Sequence, residues 1–190
     1  METYTKKDFS FLLGTPGFSD QLLQNHFTLY EGYVTNTNKL IELLETKEIG
    51  TPEYSELQRR FGWEWNGMRL HEQYFENMQS SDAKSPEGKL QEKIIEQFGS
   101  IESWQKKFEG IGTMRGIGWV VLFYDEQADK LIINWINEHD LGLLAGCKVL
   151  LVMDVFEHAF MIDYNLKRVD YIKNFFAHIN WDVVNQRFEK

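Results

Sequence analysis

The sequence has little of what several classes of protein require. Its 190 residues include one cysteine, Cys147, so an intrachain disulfide is excluded and a reducing compartment is expected. Lys and Arg number 20 against 29 Asp and Glu, and a net charge of −9 argues against the basic surface that nucleic-acid binding needs. No stretch approaches the roughly 18 consecutive apolar residues of a membrane span, and the apolar run 9–13 is too short for a signal peptide. We therefore expect a soluble, cytoplasmic protein that binds neither nucleic acid nor membrane.

Apolar and aromatic residues are present in amounts that allow a sizeable core, at 43% and 15% of the chain. In residues 19–45, apolar side chains recur at spacings of three, four and seven, which predicts one long amphipathic helix. Thr51 and Pro52 form a cap and first-turn signal for a second helix, which we expect to be interrupted or bent near Asn66-Gly67. A polar, Pro- and Gly-containing segment at 79–89 is the best candidate for a domain boundary.

After this linker, the sequence predicts a helix from Ser85-Pro86 to Gly99 and another that begins after Ser100. Three short segments rich in β-branched and aromatic residues then predict strands at 119–125, 130–136 and 148–153, arranged as an antiparallel meander. Helices return from about Phe156. The predicted fold class is α+β, with an N-terminal antiparallel helical hairpin (1–84) and a C-terminal domain (85–190) in which helices flank a three-stranded antiparallel sheet.

The positions of the histidines indicate a metal site. His26 shares a predicted helix face with Tyr30 and Tyr33, His71 precedes Tyr74 and Phe75 by one turn, and Asp154 and His158 follow the last strand. Each histidine alone could be an ordinary structural residue. Together, three imidazoles and a carboxylate in apolar sequence would be costly to bury without a partner, and a metal ion would compensate for that cost. A nitrogen and oxygen ligand set without thiolate suits iron or manganese better than structural zinc.

Five motifs, in order, carry a family resemblance. The segment "DVFEHAFMIDY" (154–164) resembles the D-x-W-E-H-A-Y signature of the iron/manganese superoxide dismutases, with Phe156 at the usual tryptophan position. The segment "LLQNHFTLYEGYVTNTNKLI" (22–41) is similar to the first helix of that family, and "LHEQYFENM" (70–78) to its second ligand segment. The segments "GIGWVVLF" (116–123) and "NWDVV" (180–184) extend the resemblance over most of the chain.

The resemblance implies that His26, His71, Asp154 and His158 bind one Fe or Mn ion between the two domains, with a solvent molecule as fifth ligand. It implies that superoxide is the substrate and is converted to O2 and hydrogen peroxide. It also implies a homodimer, in which Glu157 pairs with the ligand histidine of the other subunit.

The resemblance assigns further residues around the metal. His139 falls where many members have the glutamine that hydrogen-bonds the bound solvent, since Gly67, at the alternative position, cannot serve; a surface histidine is the other interpretation. Tyr33 matches the gateway tyrosine of the family, although it could also be plain core. Trp119, Tyr74 and Phe75 would form the apolar shell of the site. Arg168 matches an arginine near the substrate funnel, where a cation would help in a chain of charge −9.

Several positions depart from the family pattern. His26 and Tyr33 are seven residues apart instead of eight, so an ungapped alignment would place Asn25 at the ligand position; helix periodicity favours His26. Leu29 and Met161 replace a histidine–tyrosine pair that usually crosses the dimer interface. Val152 replaces a glycine frequent in manganese forms, which favours iron or a cambialistic enzyme that works with either metal.

Two alternatives to dismutation remain open at this point. The chain could be a non-catalytic homologue that keeps the fold, or a repurposed metal-binding or peroxidase-like protein in which His139 and the altered gateway disable dismutation. His178 has no assigned role in either case.

Overall fold

The structure, a computed structural model, describes residues 3–190; Met1 and Glu2, which open the predicted segment 1–84, lie outside the described residues. Two long antiparallel helices, α1 (Asp20–Thr46) and α2 (Pro52–Glu76), form the N-terminal hairpin, as predicted. Ser19 caps α1 by accepting a hydrogen bond from the Leu22 N–H, and Thr51 caps α2 in the same way from Tyr54. These caps fix where each helix begins.

The second helix is not interrupted near Asn66-Gly67, because α2 continues through both residues, so that part of the prediction is wrong; a bend there stays a prediction. Glycine weakens an exposed helix by about 1 kcal/mol, which is why the sequence suggested a break. Here a Cβ atom at Gly67 would lie 2.6 Å from the Tyr33 ring, so the ring occupies the space that a side chain would take. Tertiary packing therefore overrides the local propensity.

The C-terminal half contains the predicted helices and strands, but its first helix begins at Gly88 with Glu87 as the cap, so the predicted start at Ser85-Pro86 is wrong. Helices α3 (Gly88–Phe98) and α4 (Ile101–Gly112) precede strands β1 (Gly118–Asp125), β2 (Lys130–Asn137) and β3 (Lys148–Asp154). A 3-10 turn (Glu157–Ala159) and helices α5 (Met161–Tyr164), α6 (Arg168–Ala177) and α7 (Trp181–Glu189) follow; another 3-10 turn (Ser10–Leu12) lies before α1. The fold is therefore α+β, with a three-stranded antiparallel sheet flanked by helices.

The sheet is antiparallel, but the predicted meander is wrong. The strand order is β2-β1-β3, so β3 pairs with β1 and not with β2. The first six residues of β1, 118–123, are all buried, whereas β2 is largely half-buried or exposed. A strand buried on both faces belongs in the centre of a sheet, and the ten-residue connection 138–147 is long enough to carry the chain to the opposite edge.

This topology positions the site. In the β1–β3 register Trp119 lies opposite Asp154, so the end of β3 and the start of β1 meet at one point of the sheet. Helices α1 and α2 pack against this end, and the 3-10 turn Glu157–Ala159 contacts α1. Within residues 3–190 no helix has the length and apolar character to cross a membrane. The predicted domain limits and the cytoplasmic location stay predictions.

Candidate metal centre

Four of the predicted site residues converge at one point, and we call them the ligand cluster: His26, His71, Asp154 and His158. One ligand atom from each lies within 4.8 Å of the others. Three of the four residues are fully buried, and the His158 side chain is 28% exposed. Because α1, α2, β3 and the following 3-10 turn each contribute to the cluster, only the folded chain can assemble it.

The atoms of the ligand cluster are arranged around one oxygen of Asp154. The Nε2 atoms of His26 and His158 lie 3.2 and 3.1 Å from Asp154 Oδ2, and His71 Nε2 lies 3.8 Å from it. The other carboxylate oxygen, Oδ1, accepts a hydrogen bond from the Phe156 N–H at 2.8 Å. One oxygen therefore orients the carboxylate, while the other faces the three imidazoles.

His71 shows most directly that the cluster fits a metal ion. Its Nδ1 lies 2.6 Å from the carbonyl oxygen of Gly67, which fixes the proton on that nitrogen. Its Nε2 is buried and has no hydrogen-bond partner among the described residues. An unpartnered lone pair in the core is costly, and a cation at the centre of the cluster would satisfy it.

The electrostatics of the ligand cluster also suit a cation. Burial lowers the pKa of His26 and lowers that of His71 well below its ordinary value, so both imidazoles are neutral and offer lone pairs. Burial alone would raise the pKa of Asp154, but the adjacent imidazoles of His158 and His26, which hydrogen-bond its carboxylate, hold it well below its usual range. Neutral imidazoles and an ionised carboxylate are the forms in which these residues bind metals.

The residue in α1 that joins the cluster is His26. Asn25, the position given by an ungapped alignment, is exposed. The buried face of α1 carries His26, Tyr30 and Tyr33 together. The seven-residue spacing keeps His26 and Tyr33 on one side of the helix, which is the physical reason for the prediction.

Aromatic residues surround the cluster. Phe75 and Tyr74, both fully buried, pack their rings 4.9 and 5.3 Å from the His26 ring. The Trp119 ring lies edge-on to His71 at 4.9 Å. Tyr171, which the sequence did not single out, donates a hydrogen bond from its hydroxyl to the Asp154 carbonyl at 2.6 Å. These side chains exclude water from the cluster on the core side.

His139 and Tyr33 form a hydrogen-bonded pair beside the cluster. His139 is fully buried, which excludes the interpretation as a surface histidine. The indole N–H of Trp119 donates to His139 Nδ1 at 3.0 Å, and His139 Nε2 lies 2.8 Å from the Tyr33 hydroxyl. Since an indole can only donate, Nδ1 must accept, and the neutral imidazole carries its proton on Nε2. The Tyr33 oxygen therefore accepts from His139, and its own hydrogen is free to donate.

Burial keeps both members of this pair uncharged. It lowers the pKa of His139 to about 4 and raises that of Tyr33 well above its ordinary value. The Tyr33 ring stacks on His71 at 5.0 Å, so the pair is in contact with the ligand cluster. The hydrogen bond predicted from His139 to a metal-bound solvent molecule stays a prediction. It requires the Nε2–H of His139 to be shared between that solvent molecule and the Tyr33 hydroxyl.

Arg168 and Glu157 lie in one surface groove of about 630 Å³. Arg168 donates to the backbone carbonyls of Met114 and Gly116 at 2.7 and 2.9 Å, so it ties the α4–β1 loop to α6. Glu157 is exposed and adjoins the partly exposed His158. Neither residue forms a hydrogen bond with the ligand cluster in residues 3–190, so the roles predicted for them stay predictions.

Sequence reasoning missed Trp63, whose ring lies 4.5 Å from that of His139 and 5.7 Å from that of Tyr33. Its spacing of eight residues from His71 could have placed it near the site. Its partner Glu138 is 75 residues away, and no local pattern connects the two.

Comparison with known proteins agrees with this geometry. A family model described as "Iron/manganese superoxide dismutases, C-terminal domain" matches residues 86–187. The chain is 34% identical over 183 residues to "Superoxide dismutase [Fe]" of Aquifex pyrophilus, covering 92% of this chain and 85% of that protein. It is 35% identical over 178 residues to "Superoxide dismutase [Mn] 2" of Haloferax volcanii, covering 92% and 89%. The buried cluster and relatives of both metal types support one Fe or Mn ion. The chain belongs to the iron/manganese superoxide dismutase family.

Proposed function

We propose that this protein is a superoxide dismutase that converts two superoxide anions and two protons to O2 and hydrogen peroxide. The observation that carries the proposal is the ligand cluster, with an unpartnered His71 Nε2 and an ionised Asp154 oxygen directed at a common point. When bound there, iron or manganese would alternate between its +3 and +2 states and so take an electron from one superoxide and give one to the next. His26, His71, Asp154 and His158 would hold the ion.

The chain itself must manage protons, because the reduction of superoxide to hydrogen peroxide consumes two. The Tyr33 hydroxyl accepts from His139 and has its own hydrogen available, so it is placed to donate toward an anion at the cluster. Trp119 fixes the tautomer of His139 from the other side. Because burial keeps both groups neutral, they orient and pass protons without adding a fixed charge that would repel or trap the substrate.

A homodimer belongs to the same proposal. His158 is the one member of the ligand cluster that is partly exposed, and Glu157 beside it is exposed as well. The groove next to them carries exposed apolar side chains, namely Met114, Ile117, Met161, Leu166 and Val169. A second copy covering this face would bury them. Sedimentation analysis of the wild type and of Glu157→Lys tests this. If both proteins are monomers, or both are dimers, Glu157 has no role in dimerisation.

Iron, or the use of either metal, is favoured by Val152, which is buried on β3 two residues before Asp154. Metal analysis together with a superoxide-consumption assay on protein loaded separately with Fe and Mn tests the whole proposal. We expect one ion per chain and rapid turnover with iron. A protein that retains its metal and consumes no superoxide would contradict dismutation and favour the repurposed metal-binding protein. A folded protein that binds neither metal would favour the non-catalytic homologue.

A further inference from the structure

Trp63 packs against the His139–Tyr33 pair and is itself contacted by Arg60 and Glu138. We call these three side chains the gate: Arg60, Trp63 and Glu138. The Trp63 indole is half-buried and packs edge-on against the His139 ring at 4.5 Å. It also contacts the Tyr33 ring at 5.7 Å. Trp63 therefore touches both members of the pair and excludes water from them.

Trp63 is held from two sides. Its Nε1–H donates to Glu138 Oε2 at 3.2 Å, and the Arg60 guanidinium lies 3.8 Å from the centre of its ring system. This Arg60 distance is the shortest cation–π contact among the described residues. Arg60 is in turn paired with Glu64 at 2.7 Å, and Glu64 is buried. The indole is thus oriented by a hydrogen bond at its edge and a cation on its face.

The backbone at Glu138 adds to this arrangement. Glu138 has a φ of +50°, a left-handed conformation that is uncommon for a residue other than glycine, asparagine or aspartate. Its N–H donates to the Ile117 carbonyl at 3.2 Å, which holds the turn. Because Glu138 directly precedes His139, the same turn directs one side chain to Trp63 and the next to Tyr33. Strained conformations of this kind persist where the surrounding contacts require them.

Arg60 supplies the positive charge of the gate, where it offsets the nearby carboxylates of Glu64 and Glu138 in a chain with a net charge of −9. The Arg60 side chain is 50% exposed, so it can meet an anion from solution. Burial is the main cause of the pKa shifts of Tyr33 and His139; the charge of Arg60 lowers the pKa of both groups, while the carboxylates of Glu64 and Glu138 raise that of Tyr33. A cation on the outer face of Trp63 is therefore within electrostatic reach of the pair.

We propose that the gate has two roles. Trp63 holds His139 and Tyr33 in the orientation of their hydrogen bond, and Arg60 attracts small monovalent anions toward this pair. That the anion is superoxide rests on the proposed function. The attraction of anions to Arg60 and the placement of Trp63 do not rest on it, so they can be tested separately.

The first experiment measures anion attraction with iodide, which quenches tryptophan fluorescence on contact. The Trp63 signal is taken as the difference between the protein and the same protein carrying Trp63→Phe. We expect Arg60→Gln to lower the iodide quenching constant of this signal by roughly twofold to threefold at low salt, an effect that disappears at high salt. Quenching by neutral acrylamide should not change.

The matched control is Arg59→Gln, which removes the same charge from the neighbouring residue. Arg59 is exposed and its contact is an ion pair with Glu56 at 3.3 Å. Equal losses of iodide quenching in Arg59→Gln and Arg60→Gln would show that only net charge matters, and would overturn the entry role of Arg60. This experiment needs neither bound metal nor activity, so it decides about Arg60 even if the protein consumes no superoxide.

The second experiment tests positioning in the metal-loaded protein. We expect Trp63→Ala to lower kcat for superoxide by about tenfold while metal content and KM change little, because misplacing a proton donor slows the chemical step. Trp63→Phe keeps the ring against His139 and should restore most of kcat. Trp65→Phe is the control, since Trp65 is also half-buried on α2 but lies against Tyr4 and Arg69.

Two results would overturn the positioning role of Trp63. One is an unchanged kcat in Trp63→Ala; the other is a loss in Trp63→Phe as large as that in Trp63→Ala, with no rescue by the ring. If Trp63→Ala does not fold, Trp63→Leu takes its place, because leucine is apolar but removes the ring that packs against His139. An unchanged kcat in Trp63→Leu would then contradict the proposal. Wild-type protein that binds metal without turnover would contradict the proposed function instead.

Discussion

The ligand cluster and the gate both contact the Tyr33 ring, through His71 and Trp63, and they differ in how their polar atoms are satisfied. In the ligand cluster, His71 Nε2 has no partner among the described residues, and three imidazoles crowd one carboxylate oxygen. In the gate, the Trp63 N–H has Glu138 and the Arg60 guanidinium has Glu64. One region is complete only with an added cation, whereas the other is complete within the protein. A metal should therefore change the stability and chemistry of the first region far more than those of the second.

The largest effect is expected from Asp154→Ala, which removes the oxygen on which the three imidazoles converge. We expect the variant to retain no metal and to lose superoxide consumption entirely, as measured by elemental analysis and the activity assay. Asp170→Ala, an exposed carboxylate in the first turn of α6, is the control and should behave as wild type. Stoichiometric metal in Asp154→Ala would mean that the cluster is not the metal site.

Metal removal should lower thermal stability through the ligand cluster alone. A ligand present at a thousand times its Kd stabilises the folded state by about 4 kcal/mol, which corresponds to a change in Tm of roughly 12 °C for a chain of this size. Calorimetry of loaded and chelator-treated protein measures this difference. The Tm of Asp154→Ala should not respond to metal, while that of Trp63→Phe should respond like wild type. An equal change in Tm on metal removal in all three proteins would show that the metal does not act through the ligand cluster.

His139 lies between the two regions and should make stability depend on pH. Burial lowers its pKa from 6.5 to about 4 in the folded protein. Between these values the unfolded chain binds a proton that the folded chain does not, so stability falls as the pH drops from 6.5 to 4, by at most roughly 3 kcal/mol. In His139→Gln this contribution is absent, and denaturant unfolding of the metal-free proteins should show a shallower pH dependence. Parallel curves for the two proteins would contradict the burial effect on His139.

His139 variants also test the role taken from the family resemblance. His139→Ala should leave the metal bound, because the ligand cluster is intact, and should alter activity, because Tyr33 loses its hydrogen-bond donor. Activity equal to wild type would show that His139 has no part in turnover.

The smallest effect is expected from Gly67→Ala, which tests how tightly the Tyr33 ring packs against α2. The added Cβ would meet the Tyr33 ring at 2.6 Å, so the ring must move, at a cost of about 2 kcal/mol in stability. Gly62→Ala, on the same helix, meets nothing within 4 Å and should stabilise by about 0.5–1 kcal/mol. Chemical denaturation separates the two variants. Changes of the same sign would show that Gly67 is an ordinary helix glycine.

The helices were predictable because their signals are local. The apolar spacing of α1 and the cap signals at Thr51 and Ser100 each depend on residues close together in the chain, and the observed bounds of α1, α2 and α4 agree with them. The continuity of α2 through Gly67 was not predictable, since it depends on a ring from α1 that fills the glycine site. The place of β3 beside β1 was missed for a similar reason, because strand order depends on which strand the helices bury.

The sequence by itself identified the four members of the ligand cluster through the motifs that carry the family resemblance, and His26, His71, Asp154 and His158 do come together in the structure. It also determined the fold class, through the change from helical spacing to short β-branched segments. The tertiary structure alone decided the tautomer of His139, the free hydrogen of Tyr33 and the gate formed by Arg60, Trp63 and Glu138. Periodicity shows which residues are buried, but a hydrogen bond between residues 20 to 106 positions apart depends on distances that exist only once helices and sheet have packed.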